Sequence, residues 1–132
     1  FFPPEALAGM QQVVEAFGDG WRLPFPGVEA LGENASLRGV SDEQRLVLET
    51  YAEPQPWASY TQPLRLERDE EPSFRRVVIA CDDIRSMVEA GYDQIVHLTA
   101  APWHYVELDT GHWPMFSTPA ELTALLDDLA NA

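Results

Sequence analysis

Few side chains in these 132 residues combine a reactive type with a telling position, and His112 leads them. It follows an apolar run and the turn Asp109-Thr110-Gly111, and it precedes Trp113-Pro114-Met115, which give it a rigid apolar neighbourhood. Histidine titrates near neutral pH, so in such a place it can take a proton as general base and return it as general acid. The plainer alternative is a loop histidine bonded to a nearby carbonyl. Asp82 and Asp83 close a second apolar run, Val77-Val78-Ile79-Ala80-Cys81. Cys81 is the chain's one thiol, but a cysteine ending such a run is more often a buried small residue than a nucleophile. His97 and His104 are not spaced with each other or with His112 like a zinc motif, and no second cysteine joins them. They read as structural, and neither metal nor cofactor is expected.

The elements that must position these groups follow from periodicity. Val77 to Cys81 is continuous, apolar and β-branched, as in a strand buried on both faces of a parallel sheet. Trp103 to Leu108 reads as a second strand, with short helices between the two over Ile84 to Ala90 and around Ile95, Val96 and Leu98. A crossover of this kind is parallel and right-handed, and it brings Cys81 and Asp109 to the same end of the sheet. Loops at that end of an open α/β sheet are where chemistry is kept, because the strands fix the side chain while the loop leaves it reachable. The final helix has Thr118 as N-cap, Pro119 at N1 and Glu121 at N3, with Leu122, Leu125, Leu126 and Leu129 on one face. Two strands that are apolar on both faces do not make a stable sheet, so further strands are expected from elsewhere.

Upstream, Pro4, Leu7, Met10, Val14 and Phe17 mark a helix opened by proline and stopped by Gly18 and Gly20. Trp21 to Gly39 shows no period and reads as an irregular lid or binding loop. Ser41 to Gln44 is a capping box for a helix carrying Leu46, Val47, Leu48 and Tyr51. Residues 57 to 64 are aromatic and turn-rich, and Glu67 to Glu71 is a charged run that reads as a solvated linker. The expected division is a cap segment over 1–66, an acidic linker over 67–75 and a core segment over 76–132.

Composition limits the function classes. An apolar fraction of 45% fills the core of one domain of this length, so disorder is not expected. A net charge of −14, with eight arginines and no lysine, repels phosphate backbones and anionic lipid, so neither nucleic acid nor a membrane surface is an expected partner. One cysteine excludes an internal disulfide, and no apolar run is long enough to span a bilayer. Cytoplasm is the expected compartment. The opening Phe1-Phe2-Pro3-Pro4 lacks a Met, a charged n-region and an h-region, which points to sequence upstream.

The run Leu108-Asp109-Thr110-Gly111-His112-Trp113-Pro114-Met115-Phe116-Ser117 resembles the histidine loop of the α/β-hydrolase superfamily, in the branch of small esterases and hydroxynitrile lyases. The strand at Val77 to Cys81 is similar to that fold's penultimate strand, and the helix from Pro119 to its C-terminal helix. Gly20 to Pro24 and Ser59 to Leu64 look like cap segments of bacterial members. The resemblance covers the whole chain and only the C-terminal half of the fold. It implies an α/β architecture: the last two strands and C-terminal helix of the hydrolase sheet plus a mainly helical cap, incomplete without upstream strands.

The resemblance also implies a serine–histidine–aspartate triad, with the serine on a G-x-S-x-G turn. None of Ser36, Ser41, Ser59, Ser73, Ser86 and Ser117 has those glycines, so the nucleophile is expected upstream of Phe1, in an N-terminal half. The acid is usually in the loop after the penultimate strand, which nominates Asp83 and, after it, Asp82. The family more often keeps it a little farther along, where Ile84 stands here. The alternatives are that the pair caps the following helix, or that the acid also lies upstream. Trp21, Trp57, Tyr60, Trp113, Met115 and Phe116 are the candidates for lining an apolar pocket between cap and histidine loop, for each of which core packing is the competing role. The implied function is cleavage of a small apolar carboxylic ester by acyl transfer, with His112 as base. The alternatives are hydroxynitrile-lyase-like chemistry and a non-catalytic relative that only binds small molecules.

Overall fold

The β-branched run near residue 77 and the aromatic run near residue 105 do become strands, and they pair. In a computed structural model, which describes residues 4–65 and 73–132, the chain is a mixed α/β structure with two small sheets. The acidic run Glu67 to Glu71, and with it the boundary between the expected cap and linker, lies outside the described residues.

The N-terminal region opens with α1 (Pro4–Phe17), whose proline sits at the helix start and whose Val14 is fully buried. Strand β1 (Arg22–Leu23), helix α2 (Val28–Gly32), helix α3 (Asp42–Tyr51), strand β2 (Gln55–Pro56) and helix α4 (Ala58–Thr61) follow. β1 and β2 pair antiparallel, Arg22 opposite Pro56 and Leu23 opposite Gln55. The irregular connection expected over Trp21 to Gly39 is therefore corrected: it holds a strand and a helix. Two and five residues are too few to display a period, and α2 is supported from afar, its Val28 N–H donating to the Glu49 carboxylate of α3 at 2.7 Å. The capping box of α3 forms: Ser41 Oγ accepts from the Gln44 N–H at 3.3 Å, while Gln44 Oε1 accepts from the Ser41 N–H at 2.9 Å.

The C-terminal region is built on β3 (Arg76–Ala80) and β4 (Trp103–Glu107), parallel and in register from Arg76 opposite Trp103 to Ala80 opposite Glu107. Between them run α5 (Asp82–Glu89), α6 (Asp93–Val96) and a 3-10 turn at His97–Thr99, so the connection is a helical crossover. After β4 come α7 (Pro114–Ser117) and α8 (Pro119–Asn131). Asp82 and Asp83, expected on a loop, occupy the first turn of α5, where negative charge complements the unpaired N–H groups. Neither caps the helix, because Cys81 holds the N-cap position without a side-chain bond.

One further expectation holds in position alone, and another is corrected. Thr118 is the N-cap residue of α8, but its side chain makes no capping bond, and Oγ1 is buried without a partner among the described residues. It also ends α7, with its N–H on the Pro114 carbonyl, and the resulting φ of −144° and ψ of 56° depart from the extended backbone of a working N-cap. Strand β3, expected to be buried on both faces, is only half-buried from Arg76 to Ile79, with Ala80 alone fully covered. Among the described residues its sheet has two strands, and one flank of β3 opens into a groove of about 550 Å³ lined by Val77, Ile79, Leu126 and Leu129.

Most buried side chains fall in two places, and Ile95 is buried apart from them in α6. Val14, Val28 and Trp57 belong to the N-terminal region, whereas Ala80, Cys81 and Thr110 lie under the carboxyl ends of β3 and β4. Ala35 and Val40 are buried as well, and they bracket an otherwise accessible loop that reaches across to those strand ends. No helix among the described residues is long and apolar enough to cross a membrane.

Candidate active site

Parallel register sets the site. Because Ala80 is level with Glu107, the segments that follow each strand start side by side, and two backbone bonds keep them so. The Leu108 N–H donates to the Ala80 carbonyl at 3.0 Å, and the Asp82 N–H donates to the Thr110 carbonyl at 2.9 Å. Asp83 on the first turn of α5 is thereby brought to His112 on the loop after β4, across 29 residues of sequence. Asp83 Oδ2 lies 2.5 Å from His112 Nδ1. The carboxylate is largely covered, with 20% of its side chain exposed, while 49% of the imidazole remains open to solvent. A carboxylate on Nδ1 fixes the tautomer that leaves Nε2 as the accepting nitrogen, and Nε2 has no hydrogen-bond partner among the described residues. The Trp113 ring, 5.0 Å away and tilted by 58°, flanks the imidazole and limits its rotation.

Asp82, one residue earlier, faces other partners. The Arg38 guanidinium grips it with two bonds, Nε to Oδ2 at 2.7 Å and Nη2 to Oδ1 at 2.8 Å, and Arg85 Nη2 adds a third at 2.7 Å. The same Arg38 Nη2 also reaches Asp109 Oδ1 at 2.8 Å. The hydrogen bonds from Arg38 hold the Asp82 carboxyl well below the usual carboxylate range; partial burial works against them, and Arg85 and Ser36 add to the lowering. Reciprocally, hydrogen bonding to Asp82 raises both guanidinium groups above their ordinary range. Of the two aspartates, Asp83 therefore faces the imidazole and Asp82 is neutralised by arginines. Burial pushes the Cys81 thiol up, and the charges of Asp82 and Asp83 add to the rise, so Cys81 has little thiolate character at neutral pH.

A pocket of about 390 Å³ opens beside the pair, lined by Ile79, Cys81, Ile84, Pro114, Met115 and Leu122 together with Asp83 and His112. Its walls are apolar apart from those two polar groups. Met115, exposed by 54%, is thus placed at the site, and Trp113 is placed against the imidazole. Trp21 and Tyr60 sit elsewhere. The Trp21 carbonyl accepts from the Trp57 N–H, and Tyr60 stacks on Trp57 with ring centroids 5.7 Å apart, both within the N-terminal region. His104 lies on β4 and His97 in the 3-10 turn. Among the described residues no group of three or more His, Cys, Asp or Glu side chains is placed to hold a metal ion.

Three residues that the sequence did not tie to the site reach it from the N-terminal region. The Ser36 N–H donates to Asp83 at 3.1 Å, and the Ser36 carbonyl accepts from the His112 N–H at 2.8 Å. Arg38 holds Asp82 and Asp109. Gln44 Nε2, the far side of the capping-box side chain, donates to the Phe116 carbonyl at 2.7 Å. No local pattern could have revealed them, since Arg38 precedes its two partners by 44 and 71 residues. Compared with protein-family models, with curated proteins and with solved structures, the chain matches none of them.

Proposed function

We propose that this chain carries the acid and base of a serine hydrolase of the α/β-hydrolase type, which cleaves a small, uncharged carboxylic ester by acyl transfer. The observation that supports it most is the Asp83–His112 pair, at 2.5 Å, set at the carboxyl ends of two parallel strands. In this reading Asp83 accepts from Nδ1–H, and Nε2 takes the proton of an attacking serine hydroxyl. The serine oxygen adds to the ester carbonyl, and the protonated imidazole, balanced by Asp83, gives its proton to the departing alkoxide. Water repeats the two steps on the acyl-enzyme and releases the acid. The apolar lining of the adjoining pocket, with Met115, Ile84 and Leu122, favours a short hydrocarbon acyl or alkoxy group over a charged one. Trp21 and Tyr60 lie outside that lining and take no substrate role here.

The serine and the donors for the oxyanion belong to further strands supplied by an N-terminal half. The need for such strands is supported by the half-buried faces of β3 and by its open flank. Hydrolysis of short p-nitrophenyl esters by the full-length protein tests the reading. His112→Ala and Asp83→Asn are each expected to lower kcat by about 10³-fold or more with the fold intact by circular dichroism. Retained turnover in His112→Ala would remove the hydrolase reading, and full-length protein that binds such esters without turning them over would favour a binding protein.

A further inference from the structure

The loop between the buried anchors Ala35 and Val40 touches both halves of the acid–base pair, and it does so through its backbone. One peptide segment donates to the acid, from the Ser36 N–H to Asp83 Oδ1 at 3.1 Å and Oδ2 at 3.3 Å, and receives from the base's own backbone, His112 N–H to Ser36 O at 2.8 Å. A backbone so placed fixes the separation of Asp83 from the histidine loop. Its own position is set one turn of chain later. Arg38 makes its two-pronged contact with Asp82 and bridges to Asp109, while Ser36 Oγ donates to Asp82 at 3.2 Å. Asp82 is adjacent to the acid and Asp109 is three residues before the base, so Arg38 spans the two segments that carry the pair. Gly111 completes the fit. A Cβ at that position would stand 2.6 Å from the Ser36 carbonyl oxygen and 2.7 Å from the Arg38 carbonyl oxygen, so the loop can lie on the histidine loop only because no side chain intervenes.

We propose that residues 36–38 form a strap, fastened by the Arg38–Asp82 pair, that positions Asp83 and His112 for proton transfer. Arg38, Asp82 and Ser36 are positioning residues; none of them meets the substrate. This rests on the reading of Asp83 and His112 as the acid and base, and it gives Asp82 a separate role from Asp83. The planar guanidinium matters because its two parallel bonds fix direction as well as distance, which an ammonium cannot do.

The test compares Arg38→Ala, Arg38→Lys and Asp82→Asn with wild type in the full-length protein, using His112→Ala as reference. Arg38→Ala is expected to lower ester kcat by about 10- to 100-fold with KM little changed, the scale on which a misplacement near 1 Å acts. A far-downfield proton resonance from the Asp83–His112 hydrogen bond is expected in wild type and is expected to weaken or vanish in the same variant, and Arg38→Lys is expected to recover part of both effects. A residue that served stability alone would leave kcat and that resonance unchanged below the melting range. Should Arg38→Ala not fold, Asp82→Asn, which removes the charge at nearly constant shape, gives the same comparison. Wild-type kcat and an unshifted resonance in a folded Arg38→Ala, with His112→Ala inactive, would overturn the strap and leave the hydrolase reading standing. Full activity in His112→Ala would overturn both.

Discussion

Asp82 and Asp83 are chemically identical neighbours whose surroundings separate them. Asp82 is met by Arg38 and Arg85, and its carboxyl is held well below the usual range; Asp83 is met by a backbone N–H and an imidazole. A carboxyl whose folded pKa is depressed stabilises the fold above its unfolded pKa and loses that contribution as pH falls toward the folded one. Asp82→Asn should therefore reduce the stability of the protein at neutral pH, and its deficit relative to wild type should shrink as pH falls below about 4, the ordinary aspartate value. Urea melts of both proteins across that range check it, and a deficit that stays constant or widens in acid would count against the ion pair as its source. Nothing in the dipeptide Asp82-Asp83 distinguishes the two roles, because they are assigned by Arg38 and His112, which lie 44 residues before the one and 29 after the other.

At the scale of elements, the histidine loop is held by what crosses it. The closest crossing is at Gly111, where a methyl group would meet backbone atoms of Ser36 and Arg38 at 2.6 to 2.8 Å. Backbone cannot rotate away as a side chain can, so Gly111→Ala must push the 36–38 segment off its seat. We expect a loss of about 1–3 kcal/mol in stability, read by thermal or urea melting, with ester hydrolysis falling further than stability explains. A fully stable, fully active Gly111→Ala would show that the strap does not lie on this loop. Elements with enough residues to show a period were legible in the sequence: α1, α3, α8 and the two core strands all lie within a few residues of where their patterns place them. The short ones were not. Helix α2 has five residues and takes its N-terminal acceptor from Glu49, 21 residues on, and β1 has two residues and exists by pairing with β2. Thr118 shows the converse, a correct N-cap position whose side-chain bond is lost because the same residue ends α7.

On the scale of the whole molecule, the parallel sheet has two strands among the described residues. A groove runs along β3, and its apolar walls, Val77, Ile79, Leu126 and Leu129, face no partner strand among the described residues. In the proposed reading the missing cover and the missing nucleophile are the same piece of protein. The two parallel strands were legible in the sequence, since continuous apolar runs carry that signal. The strap was not, since it depends on which loop crosses the site. The most direct test is to label the full-length protein with a fluorophosphonate and map the modified peptide. The expected result is a single labelled serine on residues outside 1–132, with labelling abolished by His112→Ala and strongly slowed by Asp83→Asn. A label on Ser36, Ser117 or any other serine within this chain, or a rate indifferent to His112, would contradict it.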